Sequence, residues 1–173
     1  MHPVCARAIL AVRFNIYLPG KNCLGGWIIL FEKILVPLDG SEHSKHALEK
    51  AIQIARKFDG RITIVHAYTA HLVSLPKEYV HAEASPEIVE ISRDAGANIL
   101  EEAKADVESA GVRVETLLLL GHPVETIIEA SKSGNSDLIV IGARGLSPLG
   151  EMLLGSVSHG VTARAGCPVL IVK

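Results

Sequence analysis

Residues 137–158 read Asp137-Leu-Ile-Val-Ile-Gly-Ala-Arg-Gly145-Leu-Ser-Pro-Leu-Gly-Glu-Met-Leu-Leu-Gly155-Ser156-Val-Ser158. The run Leu138–Ile141 is apolar without alternation, as expected of a strand covered by helices on both faces. A glycine-bearing loop follows and leads into a helix that begins at about Ser156. Strand, glycine loop and helix form half of a βαβ unit, so the fold class is read outward from here.

Four more short runs are largely apolar, Ile34–Leu38, Ile62–Val65, Val112–Leu120 and Val169–Val172, and three of the five read as continuous Leu, Ile and Val without polar alternation. Helical patterns separate them. Ser41 is a good N-cap for a first helix that presents Ala47, Leu48, Ala51, Ile52, Ala55 and Phe58 on one face and stops at Gly60. Ser85-Pro86 opens the longest helix, which continues to Gly111. A third helix follows Pro123 and ends near Gly134, and the fourth runs from about Ser156 to Gly166. Five strands therefore alternate with four helices, and residues 69–84 form the one long connection. Such a sheet binds its ligand outside the carboxyl ends of its strands, where the strand order reverses. Function is expected in the loops after Leu38, Ala67, Leu120 and Ile141.

Composition narrows the classes. At 173 residues the chain is one domain with a real core. Hydrophobic residues are 49% and charged residues 21%, and no stretch reaches the roughly 18–20 apolar residues of a bilayer span, so no membrane partner is expected. A net charge of −2 and 4% aromatic residues argue against nucleic acid as a partner. Residues 1–30 contain Arg7, Arg13 and Lys21 but no acid, whereas residues 31–173 carry 14 basic and 19 acidic side chains. The leading stretch is expected to be an N-terminal extension, either disordered or an artefact of start-site choice with translation opening at Leu30. Residues 31–173 form the domain. Within it Cys167 is the only cysteine, which fits a reducing cytoplasm.

The loop after Ile141 has the spacing G-x2-G-x9-G-S. Gly142 and Gly145 carry no side chain, so backbone N–H groups can approach an anion, and Gly155-Ser156 adds N–H groups and a hydroxyl at a helix N-terminus. That arrangement suits phosphate; the alternative is that the glycines only make tight turns. The pattern is not the dinucleotide G-x-G-x-x-G, and residues 150–156 lack the lysine of a P-loop.

The chain resembles the universal stress protein family from about residue 31 to residue 173. The resemblance rests on Lys33-Ile-Leu-Val-Pro-Leu-Asp-Gly-Ser-Glu42, Val65-His-Ala67, Gly121-His-Pro123, Asp137 to Gly145, Gly155-Ser156 and Cys167-Pro-Val-Leu-Ile-Val172. The full glycine pattern is that of the family's ATP-binding branch. The resemblance implies that Asp39, flanked by Pro37 and Leu38, contacts the adenosine portion of the nucleotide. Helix capping beside Ser41 is the other reading of that aspartate. It further implies that the backbone at Ala67 reads the adenine edge and that Ile141 lies against the base. Gly142, Ala143, Arg144, Gly145, Gly155, Ser156, Val157 and Ser158 match the phosphate and ribose segment. The fold read for the chain is α/β: five parallel strands in the order 3-2-1-4-5 with helices on both faces, Rossmann-like and similar to the adenine nucleotide alpha hydrolases.

Eight histidines show no metal-binding spacing, so no protein metal site is expected; Mg²⁺ or Mn²⁺ would arrive on the triphosphate of ATP. His66 reads as a partly buried structural residue, His122 as a helix start and Cys167 as a small core residue. No His/Asp constellation surrounds Ser156 or Ser158, and no residue is placed as a base, so no catalytic residue is assigned. The favoured reading is an ATP-binding stress-signalling protein in which nucleotide occupancy switches conformation or the binding of a downstream protein partner, with at most slow hydrolysis. The alternatives are a nucleotide-free dimeric scaffold and a true ATPase or nucleotidyl transferase using the same pocket. The apolar edge strand Val169–Val172 calls for pairing, and the resemblance implies a homodimer through it.

Overall fold

A computed structural model describes residues 31–69, 86–146 and 154–173. The chain alternates β1 (Lys33–Pro37), α1 (Glu42–Phe58), β2 (Arg61–Tyr68), α2 (Pro86–Ser109), β3 (Arg113–Leu120), α3 (Pro123–Ser133), β4 (Leu138–Gly142), α4 (Ser156–Arg164) and β5 (Val169–Val172). The strands form one five-stranded sheet in the order β3-β2-β1-β4-β5, every pairing parallel. The fold is α/β as read. The extension 1–30, most of the long connection, Ser85 and residues 147–153 of the glycine loop lie outside the described residues.

Strand alternation divides the core between the two faces of the sheet. Ile34, Val36 and Leu38 of the first strand segment, Ile62 and Ile64 of β2, and Leu138 and Val140 of β4 pack with Ala47, Leu48, Ala51 and Ala55 of α1 and Leu100, Ala103 and Val107 of α2. Leu35, Val65, Ile139 and Ile141 point the other way, onto Val124, Ile127 and Ile128 of α3 and Val161 of α4. Each fully buried aliphatic side chain contributes roughly 1.5–3 kcal/mol. β1 and β4 are covered on both faces and their interior positions are buried throughout. The edge strands differ: Leu120 of β3 is 59% exposed and Leu170 of β5 is 38% exposed.

Several boundaries depart from the sequence reading, among them those of β1, β2 and α1. β1 ends at Pro37 instead of Leu38, for a reason that belongs to the cleft described below. β2 runs three residues past Val65, because His66, Ala67 and Tyr68 pair with Leu118, Leu119 and Leu120 of β3. α1 ends at Phe58, and the left-handed cap residue is Asp59 (φ 52°), not Gly60. Gly60 has a different role: an added Cβ would lie 2.5 Å from the Phe31 carbonyl oxygen, so the chain entering β1 packs where a side chain would stand.

The amino end of the sheet is closed by hydrogen bonds. The Asp137 carboxylate accepts from the Glu32 N–H at 2.9 Å and the Lys33 N–H at 3.2 Å, while the Asp137 N–H donates to the Lys33 carbonyl at 3.0 Å. Burial pushes the Asp137 carboxyl above its ordinary pKa, against the lowering effect of those two N–H groups.

Candidate functional site

Strand order reverses between β1 and β4, whose neighbours lie on opposite sides, and a cleft of about 530 Å³ opens there beyond the carboxyl ends of the strands. Pro37, Leu38 and Asp39 from the end of β1, Ala67 from β2, and Ile141 and Gly142 from β4 line it. Arg144, Gly145, Gly155, Ser156, Val157 and Ser158 complete the opposite wall. All residues singled out from the sequence thus converge except Ala143. That residue is 2% exposed, its N–H donates to the Val172 carbonyl at 2.6 Å, and its own carbonyl accepts the Gly155 N–H at 2.8 Å. It ties the glycine loop to β5 and to the start of α4 and does not face the cleft.

Asp39 combines the two roles weighed for it. Its Oδ1 accepts from the Ser41 N–H at 3.0 Å and the Ser41 hydroxyl at 2.6 Å, while Ser41 Oγ in turn accepts the Ser44 N–H at 3.3 Å and caps α1. Asp39 therefore organises the cap at second hand. Its Oδ2 lies against Gly145, where an added Cβ would overlap it. One carboxylate oxygen holds the loop and the other remains at the cleft wall.

The glycines of the loop have packing reasons that spacing does not reveal. None of Gly142, Gly145 and Gly155 has positive φ, so none is required for a left-handed backbone. An added Cβ at Gly142 would stand 2.7 Å from the His43 carbonyl carbon and 2.9 Å from the Ser44 nitrogen. Gly142 admits the first turn of α1. Gly145 admits the Asp39 carboxylate. At Gly155 the nearest atoms to an added Cβ are 3.4 Å away, which is ordinary contact. Gly155 is also the N-cap of α4, in extended conformation (φ −69°, ψ 159°), and supplies no side-chain acceptor. Its N–H is bonded to Ala143, and the next three N–H groups, of Ser156, Val157 and Ser158, have no carbonyl one turn earlier to receive them. The positive end of the helix dipole thus opens into the cleft.

The Ser158 hydroxyl is 4% exposed and donates to the Gly142 carbonyl at 2.7 Å, linking α4 to the end of β4. Seven further residues line the cleft: Ser44, Val65, His66, Thr69, Pro123, Ile127 and Leu146. Pro123 and Ile127 enter because α3 starts at the same end of the sheet as the glycine loop, a placement that only the tertiary fold shows. Val65 ends the apolar run of β2, and His66 follows from β2 being longer than that run. Among the described residues no group of three or more His, Cys, Asp or Glu side chains is placed to hold a metal ion.

At the rim, α3 and α4 are joined on the surface. Arg164 Nη1 donates to Glu125 Oε1 at 2.5 Å, and His122 pairs with the other oxygen. The Arg164 hydrogen bond is the main cause that holds the Glu125 carboxyl down at about 2.

The family model described as the universal stress protein family matches residues 30–173. Universal stress protein YxiE of Bacillus subtilis is 38% identical over 148 residues, covering 83% of this chain and all of the relative. The solved structure of hypothetical protein MJ0577 superposes with a TM-score of 0.71 at 27% identity, covering 83% of this chain and 96% of the other. A universal stress protein solved in complex with cAMP gives a TM-score of 0.61 at 30% identity, covering 83% and 98%. Among the described residues no helix is long and apolar enough to cross a membrane. Sheet order, the position of the cleft and these matches agree, and the chain belongs to the universal stress protein family.

Proposed function

We propose that the cleft binds an adenine nucleotide, ATP in the cell, and that its occupancy switches conformation or the binding of a downstream protein. The observation that carries this reading is the uncapped N-terminus of α4 opening into a cleft with a carboxylate on its facing wall. Three donor N–H groups and a helix dipole at one end suit phosphate oxygens. The free oxygen of Asp39 suits a ribose hydroxyl or the adenine amino group. The apolar pair Val65 and Ile141 supplies the walls for a base. The related structure holding cAMP supports the adenine class. Arg144 lines the same wall and adds positive charge beside the phosphate end.

The donor set fits a nucleotide whose phosphates bring their own cation. With no acidic cluster among the described residues, Mg²⁺ or Mn²⁺ is held by the triphosphate. Such an ion would screen phosphate charge, and the reading includes at most slow hydrolysis. The same reading includes a homodimer formed through β5, whose Leu170 is exposed, a cytoplasmic location, and an extension 1–30 outside the working domain 31–173.

The test uses the N-cap. Gly155→Asp places an acceptor over the free N–H groups, which adds a few tenths of a kcal/mol to stability while occupying the phosphate position with negative charge. Calorimetric titration of nucleotide-free protein with ATP and Mg²⁺ is expected to show saturable binding in the wild type. G155D should lose at least a hundredfold in affinity with an unchanged or raised Tm. A wild type that binds no adenine nucleotide overturns the proposal in favour of a nucleotide-free scaffold, and multiple-turnover phosphate release overturns it in favour of an enzyme.

A further inference from the structure

The ladder between β1 and β2 ends in an unusual way. Leu38 donates its N–H to the Val65 carbonyl at 2.9 Å, as a continuing parallel pair would. In such a ladder the Leu38 carbonyl would next accept the N–H of the residue two beyond Val65, which is Ala67. Instead it accepts from His66 Nδ1 at 2.8 Å. A carbonyl cannot donate, so Nδ1 carries the proton. The ring is held from behind as well: an added Cβ at Gly96 of α2 would stand 2.5 Å from His66 Cδ2 and 2.9 Å from Nε2. The imidazole fills the place where that glycine has no side chain. This substitution of a side chain for a backbone donor is why β1 stops at Pro37.

We infer that His66 is a positioning residue that keeps β1 and β2 from zipping closed, so that the Ala67 amide stays available in the cleft to read the edge of a purine base. The inference rests on the proposed adenine reading and deepens it. Backbone groups on one residue of an extended strand point to the same side, and on Ala67 that side faces β1 and the cleft. An N–H donor beside a carbonyl acceptor complements the N1 acceptor and N6 donor of adenine. Hypoxanthine presents N1–H and O6, the reverse pattern. His66 thereby acts on selectivity without touching the base, by relieving Ala67 of its ladder partner.

The test pairs a ligand-free measurement with a ligand measurement on the full chain. In wild-type protein without nucleotide, the Ala67 amide should exchange with solvent at least tenfold faster than the Val65 amide. In His66→Leu the Leu38 carbonyl loses its donor and recruits Ala67, so that exchange slows at least tenfold. His66→Asn, whose amide N–H replaces Nδ1–H, should restore the wild-type rate. With AMP and IMP as probes, wild type should prefer AMP. H66L should bind AMP about five- to tenfold more weakly, the worth of about one hydrogen bond, with the AMP preference lost and H66N recovering it. A protected Ala67 amide in the wild type overturns the inference, as does unchanged AMP selectivity in a folded H66L. If the wild type binds neither nucleotide, the adenine reading fails and the exchange rates alone decide the role of His66. If H66L does not fold, the wild-type comparison of the Ala67 and Val65 amides decides alone: faster exchange at Ala67 supports the inference and protection there overturns it.

Discussion

Two aspartates, one at each end of the sheet, show how similar chemistry serves different ends. Asp137, where β4 begins, uses its carboxylate on two backbone N–H groups of the segment entering β1, and burial raises its pKa. Asp39, just past the end of β1, uses one oxygen on Ser41 and leaves the other beside Gly145 at the cleft. The amino end is closed by the protein's own groups. At the carboxyl end a strand pairing stops early, a helix goes without a side-chain cap and one carboxylate oxygen is left over. The hydrogen bonds that tie one end and the open groups left at the other set a closed end and an open end along a single axis.

The largest test of that contrast lies at Gly142, on the binding side. If the open end carried no structural load, Gly142→Ala would be mild. The backbone of His43 and Ser44 stands within 3 Å of the added methyl and cannot move without shifting α1. We expect a loss of roughly 1–3 kcal/mol or more by denaturant unfolding. Gly155→Ala, with neighbours at 3.4 Å, should stay within about 1 kcal/mol of wild type. Equal losses at the two positions would mean that the loop packs differently from this account.

Next in size is the exchange of roles between the aspartates. Asp137→Ala strips the exposed Glu32 N–H and the part-buried Lys33 N–H of their acceptor and should cost about 1–2 kcal/mol, with nucleotide affinity unaffected in the protein that remains folded. Asp39→Ala removes an acceptor that is partly solvated, so the loss of stability is about 1 kcal/mol or less while AMP affinity falls about tenfold. Unfolding curves and calorimetry on both variants check the crossing pattern. A variant of Asp39 that loses stability and keeps affinity would reduce it to the capping role.

These contrasts also mark where the sequence could be read and where it could not. Strands β1 and β4 announce themselves because a strand buried on both faces must be apolar at nearly every position. The glycine spacing likewise points to the loop that lines the cleft. Its reasons were hidden: what stands opposite Gly142 is the backbone of residues about a hundred positions earlier, and what stands opposite Gly60 is the Phe31 carbonyl. Close approaches of this kind leave a glycine in the sequence but not the identity of its neighbour. His66 was read as partly buried and structural, which it is. Its bearing on the cleft needed the register of β1 on β2. Pro123 and Ile127 look like ordinary positions of an amphipathic helix, and only packing of α3 beside the glycine loop brings them to the cleft.

The smallest test uses acid to set Asp137 against a third carboxylate. Glu125 is exposed at the surface and is held at about 2, first by the hydrogen bond from Arg164 and to a lesser degree by the charge of His122. Asp137 accepts hydrogen bonds too, yet burial moves it the other way. The signs follow by linkage. A lowered folded pKa gives Glu125 a contribution present above its unfolded value of 4.5 and lost as pH falls through about 2. A raised folded pKa means that Asp137 favours the fold most below its unfolded value of 3.8, and that this is lost as pH rises through its folded value. The stability difference between wild type and Glu125→Gln should therefore shrink on acidification, while wild type should gain relative to Asp137→Asn. Side-chain carboxyl chemical shifts followed from pH 7 to pH 1.5, the conditions of the titration, give the midpoints directly. Hydrogen-bond number cannot order the two groups, since both accept at least two. If solvent exposure decides, Glu125 titrates well below the usual carboxylate range and Asp137 above its ordinary value; the reverse order would mean that backbone N–H donors outweigh desolvation at the closed end of the sheet.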